Sequence, residues 1–127
     1  MDKYEFQKRT KQLAIRIIHV SNALPKTLAA DVIGRQIVRS ASSVGANYRA
    51  ASRAKSTSDM INKLKIVEEE ADETLFWLEI LAESEIVPES RLKDLIQETD
   101  EIVATTVASI KTLRNRQSSI TNRKSYD

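Results

Sequence analysis

Apolar residues recur every three or four positions through nearly the whole chain, and only two prolines and two glycines interrupt them. This spacing puts the apolar side chains on one side of an α-helix, whereas a strand would need alternation at every second residue. Four helices are predicted: one over residues 2–22, one over 27–54, a third after the serine-rich residues 55–59, and a fourth that starts at Pro88. Thr27 and either Ser56 or Ser58 are the expected N-caps.

Short connections join the predicted helices, so consecutive helices should be antiparallel neighbours. The predicted fold is therefore all-α, an antiparallel up-down-up-down four-helix bundle. Residues 1–116 should form this one domain, and residues 117–127, which are basic and lose the apolar period, should be a disordered tail. Without a cysteine, a signal-like N-terminus or an apolar run of ~18 residues, the chain is predicted to be a soluble cytoplasmic protein that does not bind a membrane.

Charge is segregated along the chain although the net charge is only +2. Residues 1–65 hold 13 Lys and Arg against 4 Asp and Glu, whereas residues 66–101 hold 2 against 13. This segregation predicts that basic and acidic helices face one another, within one chain or between copies.

The third helix carries two apolar stripes. Its main stripe should pack into the bundle: Met60, Leu64, Val67, Ala71, Leu75, Leu78 and Ala82. A second stripe lies roughly 120–160° away on the helix wheel and includes two acids that need cationic partners from the second helix. A second apolar stripe needs another surface to cover it. We therefore predict that its members contact a second copy of the chain: Ile66, Glu70, Glu73, Trp77 and Ile80.

The second helix adds four arginines and three small residues. The arginines lie opposite its core stripe, within an arc of roughly 80°, and are called here the arginine ridge: Arg35, Arg39, Arg49 and Arg53. The small residues should let another helix approach closely, and they complete the candidate interface for self-association: Gly45, Ala46 and Ala50.

Catalytic and metal chemistry find little support in the sequence. A di-iron bundle needs two Glu-x-x-His motifs, and the single histidine, His19, is expected on the surface. The acidic residues 68–73 point in different directions on a helix and cannot converge on one ion. The serines lack a nearby histidine, and no glycine-rich phosphate loop is present. We therefore predict no enzymatic activity, no metal and no other cofactor.

A resemblance to a known family lies in two segments, RSASSVGANYRAASRAKSTSDMINKLKI and EEADETLFWLEIL. The segments resemble the four helix bundle protein family, which is also called the 23S rRNA intervening-sequence protein family. The matching positions are Gln36, Arg39, Ser43, Val44, Gly45, Ala46, Asn47, Tyr48, Arg49, Lys63, Ala71, Glu73, Thr74, Trp77 and Leu78. Two positions depart from the family pattern: Ala50 stands where Glu is usual and Glu69 where Lys is usual, so the charge partners there should differ.

This resemblance implies a left-turning antiparallel bundle, a tendency to form ring-like homopentamers and no established enzymatic activity. Family members are encoded within insertions of large-subunit rRNA genes and elsewhere. A distant relative, the accessory protein of diversity-generating retroelements, binds nucleic acid and a reverse transcriptase.

Two functions stay open at this point. In the first, the protein is an assembly or interaction scaffold that associates with itself, as a pentamer on the family's pattern, and with a further protein partner. In the second, it is a nucleic-acid-binding accessory protein that holds RNA or DNA phosphates with the arginine ridge or with basic residues near the C-terminus. Those residues are Arg114, Arg116, Arg123 and Lys124.

Overall fold

The computed structural model describes the backbone of residues 1–126 and the side chains of residues 1–120. Four helices account for most of it: α1 (Lys3–Asn22), α2 (Leu28–Ser52), α3 (Thr57–Glu83) and α4 (Glu89–Tyr126). The described backbone contains no strand. Each helix packs closely against the next one in the chain, while α1 and α4 touch less extensively. The predicted all-α four-helix fold is confirmed.

Short polar side chains fix where the helices begin. The Thr27 hydroxyl accepts a hydrogen bond from the backbone N–H of Ala30 at 3.2 Å, and the Ser56 hydroxyl accepts one from Asp59 at 3.1 Å. Both bonds satisfy N–H groups that lack a partner within the first helical turn. Thr27 was the predicted cap of α2, and of the two candidates for α3 it is Ser56 that caps.

The core lies along the bundle axis and is apolar except for a few hydroxyl groups. Fully buried side chains include Ile17, Ile37, Leu78 and Ile102, one from each helix. Buried threonines of α4 satisfy their own hydroxyls locally, as Thr99 does by donating to the carbonyl oxygen of Leu95 at 2.7 Å. Such bonds let polar side chains remain in the core without the cost of an unpaired group.

The buried side of α3 differs from the predicted main stripe at three positions. Met60, Leu75 and Ala82 are only half-buried, and the buried positions are instead Ile61, Thr74 and Leu81. The apolar periodicity did not predict that Thr74 is buried, because its side chain is polar. Its hydroxyl donates across the α2–α3 contact to the Ser40 hydroxyl at 2.8 Å, so burial leaves it paired.

α4 continues as a helix beyond the predicted end of the bundle at residue 116 and reaches Tyr126. Just past that point the Gln117 amide donates to the Ser58 hydroxyl at the start of α3, at 3.1 Å. The division into a domain of residues 1–116 and a disordered tail of 117–127 stays a prediction. No helix in the described part of the chain combines the length and the apolar character needed to cross a membrane.

Candidate interaction faces

The second stripe of α3 splits into an inner and an outer part. Trp77 and Ile80 are half-buried and pack against the core of their own chain. Ile66 is 41% exposed, and Phe76, which helical spacing did not single out, is 50% exposed. The Phe76 ring meets the Trp77 ring edge-on, with 4.9 Å between the centroids. Two apolar side chains of α3, Ile66 and Phe76, are therefore open to solvent.

The acids of this stripe find their cation within the chain. Arg39 of α2 donates to the Glu70 carboxylate at 2.9 Å and also pairs with Glu73. Glu73 in turn accepts from the Trp77 indole at 3.2 Å. Hydrogen bonding to Glu70, with the charges of both carboxylates, raises the pKa of the Arg39 guanidinium. The expected pairing of a helix-two arginine with helix-three acids is present at Arg39.

The four members of the arginine ridge have unequal surroundings. Arg39 is engaged with α3, and Arg35 pairs with Asp31 one turn earlier at 3.2 Å. Arg49 and Arg53 are exposed and make no ion pair with any described side chain. Among the described side chains, two of the four guanidinium groups therefore have no acidic partner.

Of the basic residues proposed near the C-terminus, two lie on the described part of α4. Arg114 and Arg116 are both exposed. The side chains of Arg123 and Lys124 lie outside the described residues. The structure therefore places two more cations on the surface, on a different helix from the ridge.

The predicted close approach occurs at Gly45, and the helix that approaches is α1 of the same chain. A Cβ atom on Gly45 would lie 3.3 Å from the backbone oxygen of Thr10. Ala46 is exposed, and Ala50 is half-buried on a side of α2 about 140° away from Gly45. The three small residues therefore do not form the single edge that the sequence suggested.

A groove of about 250 Å³ runs outside the contact of α1 with α2. Four of its seven lining residues are small, and each helix contributes one cation, Lys11 from α1 and Arg49 from α2. The complete lining is Gln7, Lys11, Ala14, Ser42, Gly45, Ala46 and Arg49. We call this surface the basic groove. None of its lining residues is acidic, so it presents a net positive surface.

A second, wider groove of about 840 Å³ lies at the turn between α1 and α2. Its walls include Leu24, Gly34 and the Asp31–Arg35 ion pair. The carboxylate of Asp31 offsets Arg35, and because Lys26 and Arg39 also line this groove, its lining carries a net positive charge as well.

Within the described residues no group of three or more His, Cys, Asp or Glu side chains is placed to hold an ion. His19 is exposed, as the sequence indicated.

Comparison with known proteins identifies a matching family and a solved structure of similar fold. The sequence profile described as 23S rRNA-intervening sequence protein matches residues 2–108. A crystal structure of a protein of unknown function from the S23 ribosomal protein family of Bacteroides thetaiotaomicron shares 33% sequence identity. The match covers 87% of this chain and 99% of that one, with a TM-score of 0.80. No curated protein matches this chain, and neither description indicates an enzyme.

Proposed function

This chain belongs to the 23S rRNA-intervening sequence protein family, and on that premise we propose that it is a non-enzymatic scaffold that associates with itself through the outer side of α3. A ring-like homopentamer is the assembly that the family resemblance suggests. The observation that supports this proposal is the exposure of Ile66 and Phe76 on one side of α3.

Two physical features make this side of α3 suitable for association. Phe76 is half exposed, so a partner that covers it removes from water about half of the roughly 150–250 Å² that an aromatic side chain can bury. Each Å² of apolar area removed from water contributes about 25 cal/mol. The neighbouring carboxylates of Glu70 and Glu73 are already paired with Arg39. A partner that covers them would bury an ion cluster that is complete, and not an unpaired charge.

The mass of the protein in solution tests this proposal. Light scattering on the wild type at micromolar concentration should give a multiple of 14.3 kDa. Phe76→Glu should lower that mass to the monomer while the far-ultraviolet circular dichroism stays helical, because Phe76 is half exposed in the single chain. Val107→Glu is the matched control, since Val107 is 45% exposed on α4. A monomeric wild type, or equal effects of the two substitutions, would contradict the proposal.

Nucleic-acid binding is the second candidate, and it is favoured by the exposed guanidinium groups of Arg49 and Arg53, which make no ion pair with any described side chain. Arrays of such cations bind phosphates without reading the bases. Binding of structured RNA and duplex DNA should be measured by fluorescence anisotropy across a salt series. If the ridge binds phosphate, Arg49→Ala should lower the slope of log K against log salt by about one. Absence of binding at about 50 mM salt would eliminate this candidate.

A further inference from the structure

We propose that the outer side of α1 binds an acidic amphipathic helix of a different protein. The inference does not depend on self-association through α3, because α1 and α3 do not touch in the described chain and lie diagonally across the bundle. The partner is defined by its chemistry: apolar side chains at three- and four-residue spacing with carboxylates beside them.

α1 carries apolar side chains on two sides. Phe6, Leu13 and Ile17 are buried on the side that faces the core. Roughly opposite, five exposed residues fall within an arc of about 80° and along about 21 Å of the helix. We call this row the α1 stripe: Tyr4, Lys8, Lys11, Ile15 and Ile18.

The apolar members of the α1 stripe are open to solvent. Tyr4 is 74% exposed, Ile18 40% and Ile15 36%. Ile15 and Ile18 are surface neighbours because they are three residues apart on the helix. Single exposed apolar residues are common on a protein surface, whereas a row of them along one helix is typical of a binding surface.

The charged members of the α1 stripe are all cations. Within Lys3–Asn22 the sequence has five lysines and arginines against one acid, Glu5, which lies outside the stripe. Lys8 and Lys11 make no ion pair with any described side chain. Lys11 also lines the basic groove, so Arg49 of α2 borders the stripe on that side. The surface therefore combines exposed apolar side chains with cations that lack an acidic partner among the described residues.

This combination fits a helix that carries both apolar and acidic side chains. Residues three and four apart on such a helix lie side by side, so its apolar residues can cover Ile15 and Ile18. Its carboxylates would then meet Lys8 and Lys11, and these charge pairs fix the orientation of the partner. The partner lies on α1 and on the rim of the basic groove. No side chain has to enter the space at Gly45, which α1 already approaches closely.

Two other occupants fit the α1 stripe less well. Nucleic-acid phosphates would pair with the lysines, but they offer no apolar surface to cover Ile15 and Ile18. The acidic helix of a second copy is α3, and there Glu70 and Glu73 are already paired with Arg39.

Fluorescence anisotropy with a synthetic peptide and the full-length protein tests the proposal. The probe is a labelled peptide of leucine, alanine and glutamate, about 20 residues long so that it can form a helix. Its leucines recur at three- and four-residue spacing, and its glutamates flank them. A scrambled peptide of the same composition, whose leucines do not share one side of a helix, is the control. The amphipathic peptide should bind about tenfold more tightly than the scrambled one.

Two substitutions test the apolar and the charged part of the stripe separately. Ile18→Ser and Lys11→Glu should each weaken binding of the amphipathic peptide about tenfold. Val107→Ser and Lys111→Glu are the matched controls at exposed positions of α4, and they should bind the peptide like the wild type. All four positions are exposed, so each variant should keep the helical circular dichroism of the wild type.

The opposite results would overturn the proposal. Equal affinity for the two peptides, or no binding of either, would remove the acidic helix as the occupant. If Lys11→Glu weakens binding and Ile18→Ser does not, the surface binds anions in general, as a nucleic-acid site would. Binding to phosphatidylserine vesicles that Ile18→Ser abolishes would assign the surface to lipid. A light-scattering mass that falls in Ile18→Ser would assign it to a contact between copies. The peptide measurements leave self-association through α3 to its own test with Phe76→Glu.

Discussion

The two glycines of α2 provide a matched test of how closely the helices approach. In both cases a Cβ atom would meet its nearest neighbour at 3.3 Å. At Gly34 that neighbour is Cδ1 of Leu24, the end of a flexible side chain, whereas at Gly45 it is the backbone oxygen of Thr10. Substitution by alanine should therefore have opposite effects at the two positions.

The expected magnitudes follow from two competing contributions. Alanine is favoured over glycine in a helix interior by about 1 kcal/mol. At Gly34 the Leu24 side chain can rotate away, so Gly34→Ala should stabilise the protein by nearly that amount. At Gly45 the backbone of α1 would have to move, and overpacking of this kind costs about 1–3 kcal/mol. Gly45→Ala should therefore be destabilising by up to about 2 kcal/mol, after subtracting the gain in helix propensity.

Urea unfolding followed by circular dichroism measures both variants. The measurements belong in the Phe76→Glu background and at one protein concentration, because self-association would add its own contribution to stability. For a chain of this size, 1 kcal/mol corresponds to a shift of roughly 3–6 °C in the melting temperature. If the two substitutions shift stability equally and in the same direction, the close approach of α1 to Gly45 is wrong.

Two further predictions concern single residues. Burial raises the pKa of the Tyr48 phenol, so this phenol ionises at lower pH in the unfolded chain than in the folded one. The buried neutral phenol therefore contributes its full stability below about pH 10. That contribution falls as the pH rises through the folded-state pKa. Urea midpoints between about pH 8 and 11 should therefore decline less in Tyr48→Phe than in the wild type, and identical profiles would contradict this. Glu85 has a φ of 61° in the turn between α3 and α4. Glu85→Gly should raise the free energy of unfolding by about 1 kcal/mol, and a loss of stability would show that the left-handed backbone is not the native one.

The candidate interaction faces were only partly visible in the sequence. Helical spacing alone placed Ile66, Glu70, Glu73, Trp77 and Ile80 on one side of α3. It could not separate the half-buried Trp77 and Ile80 from the exposed Ile66, because that difference depends on how far α2 covers α3. Phe76 was not predicted because it lies within LFWLEILA, a segment whose apolar residues occur on several sides of the helix wheel, so periodicity did not single out one position.

The sequence predicted the position of the arginine ridge but not the ion pairs of its members. Periodicity alone gives four arginines on one side of α2, all equivalent. The antiparallel contact with α3 brings Glu70 and Glu73 to Arg39 and leaves Arg49 and Arg53 unpaired among the described side chains. Partners some thirty residues apart in sequence are set by the register between helices, and the periodicity of one helix carries no information about that register.

The sequence by itself determined the four helices, the Thr27 cap of α2 and the all-α fold, because these depend on hydrogen bonds and apolar spacing within a few residues. The contacts and grooves formed by two helices together could be seen only in the tertiary structure. The packing of α2 on α3 buries Thr74 with its hydroxyl 2.8 Å from the Ser40 hydroxyl, and α1 is the helix that approaches Gly45. The basic groove lies beside that contact, since the space between two helices exists only after their distance and register are fixed.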